Sequence, residues 1–189
     1  MNRRDALSAV SLLIGGTIIG AEAFLGGCSD SKQTGAGSLS VDDLGFLDEV
    51  GETILPATAS SPGAKASEIG KFMDVIVADC YTPDQQKIFR EGISKLKEAC
   101  KSATGNDFLD LGSDARTSFL KILDEEARSY GSTRKDGDPE THYFSMIKQL
   151  TVWGYFSSEV GATQALSLVE VPGHYEACVP IKPGQKAWA

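Results

Sequence analysis

His174 and Cys178 are the one pair in the chain whose residue types suggest a thiolate nucleophile with its base, and they stand four apart in a segment broken by Pro172, Pro180 and Pro183. Such catalysis needs nucleophile, base and orienting group brought to one place. A proline-punctuated stretch without a nucleophile-elbow glycine motif fixes no such geometry. The only other histidine is His142. Zinc sites draw on cysteines two to four residues apart, and covalent haem on a Cys-x-x-Cys-His run; neither pattern is present. Asp136-Gly137-Asp138 lacks the further oxygen ligands and closing Glu of a calcium loop. The glycines are scattered, with no Gly-rich strand-to-helix turn for a nucleotide. The residues therefore predict no catalytic group, no metal site and no cofactor in this chain.

The cysteine with a readable chemistry is Cys28. Arg3 and Arg4 open the chain, an apolar segment from Leu7 to Gly27 follows with only Glu22 interrupting it, and Leu25-Gly26-Gly27-Cys28 closes it. An aliphatic residue three before a cysteine, with two small residues between, is what lipoprotein signal peptidase cleaves. Residues 1–27 thus read as a twin-arginine, lipoprotein-type signal, although Asp5-Ala6 replaces the usual residues after the arginines. A permanent span is the alternative, since about 20 apolar residues cross a bilayer. Export through the twin-arginine pathway and lipid anchoring at Cys28 on the periplasmic face of the envelope are the expectations.

Removal of residues 1–27 would leave 162 residues with the formal net charge unchanged at −8. That balance argues against nucleic-acid binding, and the length suits one domain with one core. Cys80, Cys100 and Cys178 would then face an oxidising compartment. Three cannot pair among themselves without one left over, so for the leftover a buried thiol and half of a bond to a partner both stay open.

The elements read as helices. Residues 28–40 are a polar tether. Ser40 caps a helix with Val41, Leu44, Leu47, Val50 and Ile54 at helical spacing, ended by Pro56. After a loop over residues 57–66, Ile69, Phe72, Met73, Ile76 and Val77 make a second stripe that stops near Cys80. Thr82-Pro83-Asp84-Gln85 combines a cap, proline at the first position and a capping-box Gln, opening a third helix with Ile88, Phe89, Ile93, Leu96 and Cys100 inward. Ser113 caps a fourth with Phe119, Leu120, Ile122, Leu123 and Ala127 apolar, and residues 130–138 form a charged loop. Asp138-Pro139 opens a fifth, apolar on more than one face: Tyr143, Phe144, Met146, Ile147, Leu150, Trp153, Tyr155 and Phe156. A short helical stretch follows Gly161, and residues 171–189 are an extended tail. The fold class is mainly α: residues 41–189 form a single helical domain of about five to six helices with that irregular tail.

Three segments look familiar together. Trp153-Gly154-Tyr155-Phe156-Ser157-Ser158-Glu159-Val160-Gly161 and Val171-Pro172-Gly173-His174-Tyr175-Glu176-Ala177-Cys178-Val179-Pro180 follow Ile54-Leu55-Pro56-Ala57-Thr58 with Ser61-Pro62-Gly63-Ala64. In this order, from about Phe46 to Pro180, they resemble the gluconate 2-dehydrogenase subunit 3 family. The resemblance implies a small non-catalytic subunit on a large flavoprotein of the glucose-methanol-choline type, which oxidises a sugar or sugar acid and passes electrons to a cytochrome c. FAD and haem c would belong to those partners, and the small subunit would supply export, anchoring and stabilisation.

A cofactor-less helical domain with an over-apolar last helix and an irregular tail suits a subunit wrapped on a larger partner. Trp153, Tyr155, Phe156, Pro172, Gly173, Tyr175 and Pro180 are the interface candidates, with core packing the competing use for each aromatic. The rival reading is a free-standing envelope lipoprotein that binds a small ligand or another envelope protein between its helices.

Overall fold

The computed structural model describes residues 39–171, 173–174 and 178–188. The signal with Arg3, Arg4 and Cys28, most of the tether, and the interface candidates Pro172 and Tyr175 lie outside the described residues. Five α-helices form the domain: α1 (Val41–Ile54), α2 (Ile69–Cys80), α3 (Pro83–Thr104), α4 (Ser113–Thr133) and α5 (Tyr143–Ser157). Short 3-10 turns at Ala64–Ser67 and Phe108–Asp110 and a π-turn at Gly161–Ala165 complete it. No described helix is long and apolar enough to cross a membrane.

Local chemistry sets most boundaries. Ser40 Oγ accepts from the Asp43 N–H (3.1 Å) and starts α1; Pro56, just past the C-cap Leu55, could donate no further helical bond. Thr82 and Gln85 close a full capping box on α3, and Gly105, at φ 77°, ends it in the left-handed conformation that favours glycine. Three boundaries differ from expectation. Ser113 is the first residue of α4, whose cap is Gly112 without a side-chain bond. The fifth helix opens not at Asp138-Pro139 but at Tyr143, because the His142 ring, rather than a carboxylate, accepts the Phe144 N–H through Nδ1 (3.3 Å). Helix α4 also runs on to Thr133, which shortens the charged loop from its N-terminal side.

Helix α5 is central, packed against α1, α2, α3 and α4, which accounts for its apolar character on several faces. Phe144, Ile147, Leu150 and Thr151 are fully enclosed, and the Thr151 hydroxyl is satisfied by the Ile147 carbonyl (2.9 Å). Phe46, absent from the α1 stripe read from the sequence, is buried and meets Phe108 edge-on at 5.6 Å. Val41 and Ile122, counted as apolar-face residues, are exposed.

Helices α1 and α2 touch backbone to backbone. A Cβ on Gly70 would overlap the Leu44 carbonyl oxygen and lie 3.0 Å from Leu44 Cα. The contact is locked by side chains reaching across: Asp48 accepts the Gly70 N–H (2.8 Å) and Asp74 accepts the Leu39 N–H (2.8 Å). Arg116 of α4 ties a third element to this pair, donating to Glu49 (2.7 Å) and to the carbonyls of Phe108 (3.0 Å) and Leu109 (2.7 Å).

The ionised side chains predict how stability responds to acid. Lys65 and Arg116 beside Glu49, and Lys148 with Arg128 beside Asp124, hold those carboxyls below their ordinary values. For Asp43, burial pushes up but the Lys97 and Ser40 hydrogen bonds outweigh it. Burial, against the opposing field of Glu126, lowers the His142 pKa below 6.5. All four shifts are downward, so the unfolded chain binds protons before the folded one and stability falls with pH. The expected denaturant curve is flat between about pH 7 and 9, declines first below the ordinary His value as the unfolded imidazole charges, and declines again below the ordinary carboxylate range. His142→Asn, which keeps a good capping acceptor without a titration, should erase the first decline and keep the second.

Candidate functional site

Two of the motifs singled out in the sequence meet in space. The loop after α1 is organised around the Glu52 carboxylate, which accepts the Ala57 N–H (2.9 Å) and the Lys65 N–H (3.0 Å). Gly63 lies against that carboxylate so closely that a Cβ would collide with it. The loop is closed by Ala64 N–H to the Leu55 carbonyl (2.9 Å) and Thr58 N–H to the Ser61 carbonyl (2.9 Å). From α5, the Tyr155 hydroxyl donates to the Pro62 carbonyl at 2.5 Å. The loop motif and the Trp-Gly-Tyr-Phe motif are thus two sides of one joint.

This joint bears on the two uses left open for Tyr155. Tyr155 is 3% exposed and belongs to the core, not to a surface. Tyr155→Phe is expected to lower stability by about 1 to 2 kcal/mol, the cost of one lost bond and a carbonyl left short of its partner, with the helical content by circular dichroism unchanged.

Trp153 and Phe156 point the other way. Trp153 is 52% exposed although it sits in the central helix, because a neighbour takes the space beneath it. Gly154 has no side chain, Phe72 of α2 fills that gap with its Cγ 3.0 Å from where a Cβ would stand, and Trp153 rests edge-on against Phe72 at 5.4 Å. Helix spacing of three sets Val75 beside Phe72 and Phe156 beside Trp153. The result is a connected apolar ridge, Val75–Phe72–Trp153–Phe156, across α2 and α5 with Val75, Trp153 and Phe156 exposed. On the far side of Trp153 a groove of about 500 Å³ runs between α4 and α5, with Ala127 and Val152 in its lining and Asp124, Arg128 and Lys148 at its rim. Asp124 pairs with both Lys148 (2.5 Å) and Arg128 (2.8 Å), so the rim carries one cation in excess. An exposed aromatic with an apolar border and a charged rim is the anatomy of a protein contact. Val75, Val152 and the groove were not read from the sequence; Gly154 within a run of bulky residues was the signal that could have drawn attention to them.

The tail returns to the domain. Ser167 and Trp188 form an isolated parallel bridge, with Ser167 N–H donating to the Ala187 carbonyl (2.8 Å), and the Lys186 ammonium reaches the Gln164 carbonyl. Between these ends Val171, Val179 and Ile181 are exposed, as are Gly173, at φ 64°, and Pro180.

The candidates for chemistry are dispersed. Cys80 ends α2 and is exposed; Cys100, in the last turns of α3, is fully buried beside Thr104; Cys178 is exposed in the tail; all three are free thiols. Cys178 and His174 are both exposed and lie outside any helix. Among the described residues no three His, Cys, Asp or Glu side chains converge as a metal site would require. Residues 42–173 match the family model described as gluconate 2-dehydrogenase subunit 3. No curated protein and no solved structure matches the chain.

Proposed function

This chain belongs to the gluconate 2-dehydrogenase subunit 3 family, and from that premise we propose that it is the non-catalytic small subunit of a flavin-dependent sugar or sugar-acid dehydrogenase. The match over 132 consecutive residues carries this reading. Trp153 and Phe156, with Phe72 and Val75, are the anchor through which the chain holds a large flavoprotein of the glucose-methanol-choline type, and exposed Gly173 and Pro180 extend the contact along the tail. FAD resides in that catalytic subunit, haem c in a cytochrome that accepts the electrons, and neither in this chain. Family membership favours this over a free-standing lipoprotein.

The role includes transport. Arg3 and Arg4 direct folded export, Cys28 takes the lipid, and the large subunit travels and stays with the small one at the periplasmic face. The test is affinity purification of the tagged chain from its native envelope. A stoichiometric yellow flavoprotein of dehydrogenase size is the expected result, and a colourless lone chain under gentle extraction is the result that overturns it. Changing Arg3 and Arg4 to Lys should leave both proteins in the cytoplasm, read by fractionation and flavin content; export of the large protein without the small one would end the carrier role.

A further inference from the structure

A second cavity, of about 270 Å³, lies between α3, α4 and the α4–α5 connection, apart from the ridge. Its deepest polar group is His142, whose side chain is only 6% exposed. The cap on α5 commits Nδ1 as an acceptor, so the neutral ring carries its proton on Nε2. That N–H stands 3.8 Å from Glu126 Oε1, too far for a hydrogen bond, and His142 and Glu126 both line the cavity. Tyr130 and Tyr143 supply aromatic walls, with their rings 5.1 and 4.4 Å from that of His142. Tyr143 can lie there because Gly92 of α3 leaves the room: a Cβ on Gly92 would crowd the Tyr143 ring.

We infer that this cavity binds one neutral polyhydroxylated molecule of monosaccharide size. Glu91, Glu126 and Asp138 line the cavity with Lys95, and with Glu91 paired to Lys87 at 3.8 Å one negative charge remains in excess, which repels anions. A cation is disfavoured where the buried donor of His142 points. A hydroxyl satisfies both neighbours, accepting from Nε2–H and donating to the Glu126 carboxylate. The tyrosine rings suit the C–H face of a sugar ring. At about 30 Å³ per water the space holds roughly nine waters, room for one six-membered ring. Tyr143, its pKa pushed up to about 12 by burial, stays a neutral donor over the working range. The inference rests on the cavity alone and stands or falls independently of the subunit reading.

The test is an NMR titration of the full chain in detergent with D-glucose, following the His142 imidazole signal, assigned by its loss in His142→Asn. A saturable shift with half-saturation in the millimolar range is expected. Glu126→Ala, at an exposed helical position, should leave the fold intact and weaken binding about threefold to tenfold. The same concentration of D-gluconate should leave the signal in place. No saturable shift up to about 100 mM glucose, an unchanged affinity in Glu126→Ala, or an equal response to gluconate would each overturn the inference.

Discussion

Gly70→Ala is expected to remove about 3 to 5 kcal/mol of stability, a fall in Tm of about 6 to 20 °C for a domain of this size. The added methyl group meets backbone, the Leu44 carbonyl, and not the pliable end of a side chain. Relief requires α1 and α2 to separate, which lengthens the Asp48 bond to the Gly70 N–H and the Asp74 bond to the Leu39 N–H, and loosens the packing of Leu47 and Ile69, both fully buried. Overpacking accounts for about 1 to 3 kcal/mol, and each stretched bond adds about 1 kcal/mol. Gly45→Ala is the control. It lies on the same helix pair with nothing within 4 Å of its Cβ position, and should raise stability by a few tenths to about 1 kcal/mol through helix propensity. Chemical denaturation of the two variants side by side measures the difference. Equal and small effects would show that the close approach of the two helices is not what sets the domain's stability.

Trp153→Ala should leave the domain folded and cost the complex at least about 2 kcal/mol, roughly a thirtyfold loss of affinity for the flavoprotein. The indole is half exposed, so its removal surrenders one edge contact with Phe72 and little core; the expected change in the domain's own stability is about 1 kcal/mol. Reversing the rim with Arg128→Glu should lower the association rate and its sensitivity to salt while changing dissociation little. The readouts are flavin recovered per tagged chain and the Tm of the isolated subunit. Undiminished flavin recovery from Trp153→Ala would move the contact off the α2–α5 ridge and onto the tail.

How far the sequence disclosed these features follows from the range of the interactions. Ser40, Thr82 and Gln85 act on N–H groups three residues away, so their boundaries are readable in one dimension. The start of α5 was not readable, because its capping acceptor is an imidazole and Asp138-Pro139 offered a more familiar signal four residues early. Apolar periodicity located every described helix but mistook individual members: Val41, in the first turn, is exposed, and Phe46 reaches the core from a position flanking the regular stripe. The site was half legible. Trp153 and Phe156 could be named as aromatics with two uses, but which pointed outward depended on Phe72 filling the gap over Gly154. Tyr155 carries the same two uses in the sequence as its neighbours, interface and core, and what selects the core is a bond from its hydroxyl to a carbonyl 93 residues earlier in the chain. Single-chain patterns do not encode meetings at that separation; only the recurrence of both segments in one family hinted that they belong together.

The gap at Gly154 couples two properties that would otherwise change separately. Phe72 is both the plug that completes the interior and the shelf on which Trp153 stands. A larger residue at Gly154 would expel the plug, tilt the shelf and swing the indole out of register with whatever it grips. Variation that tunes the grip is therefore filtered by the need to keep the molecule folded, and a drift in its thermal robustness carries a drift in its grip. Two complexes of this family that differ at this position should not exchange their small subunits freely, even where the outward-facing residues are the same.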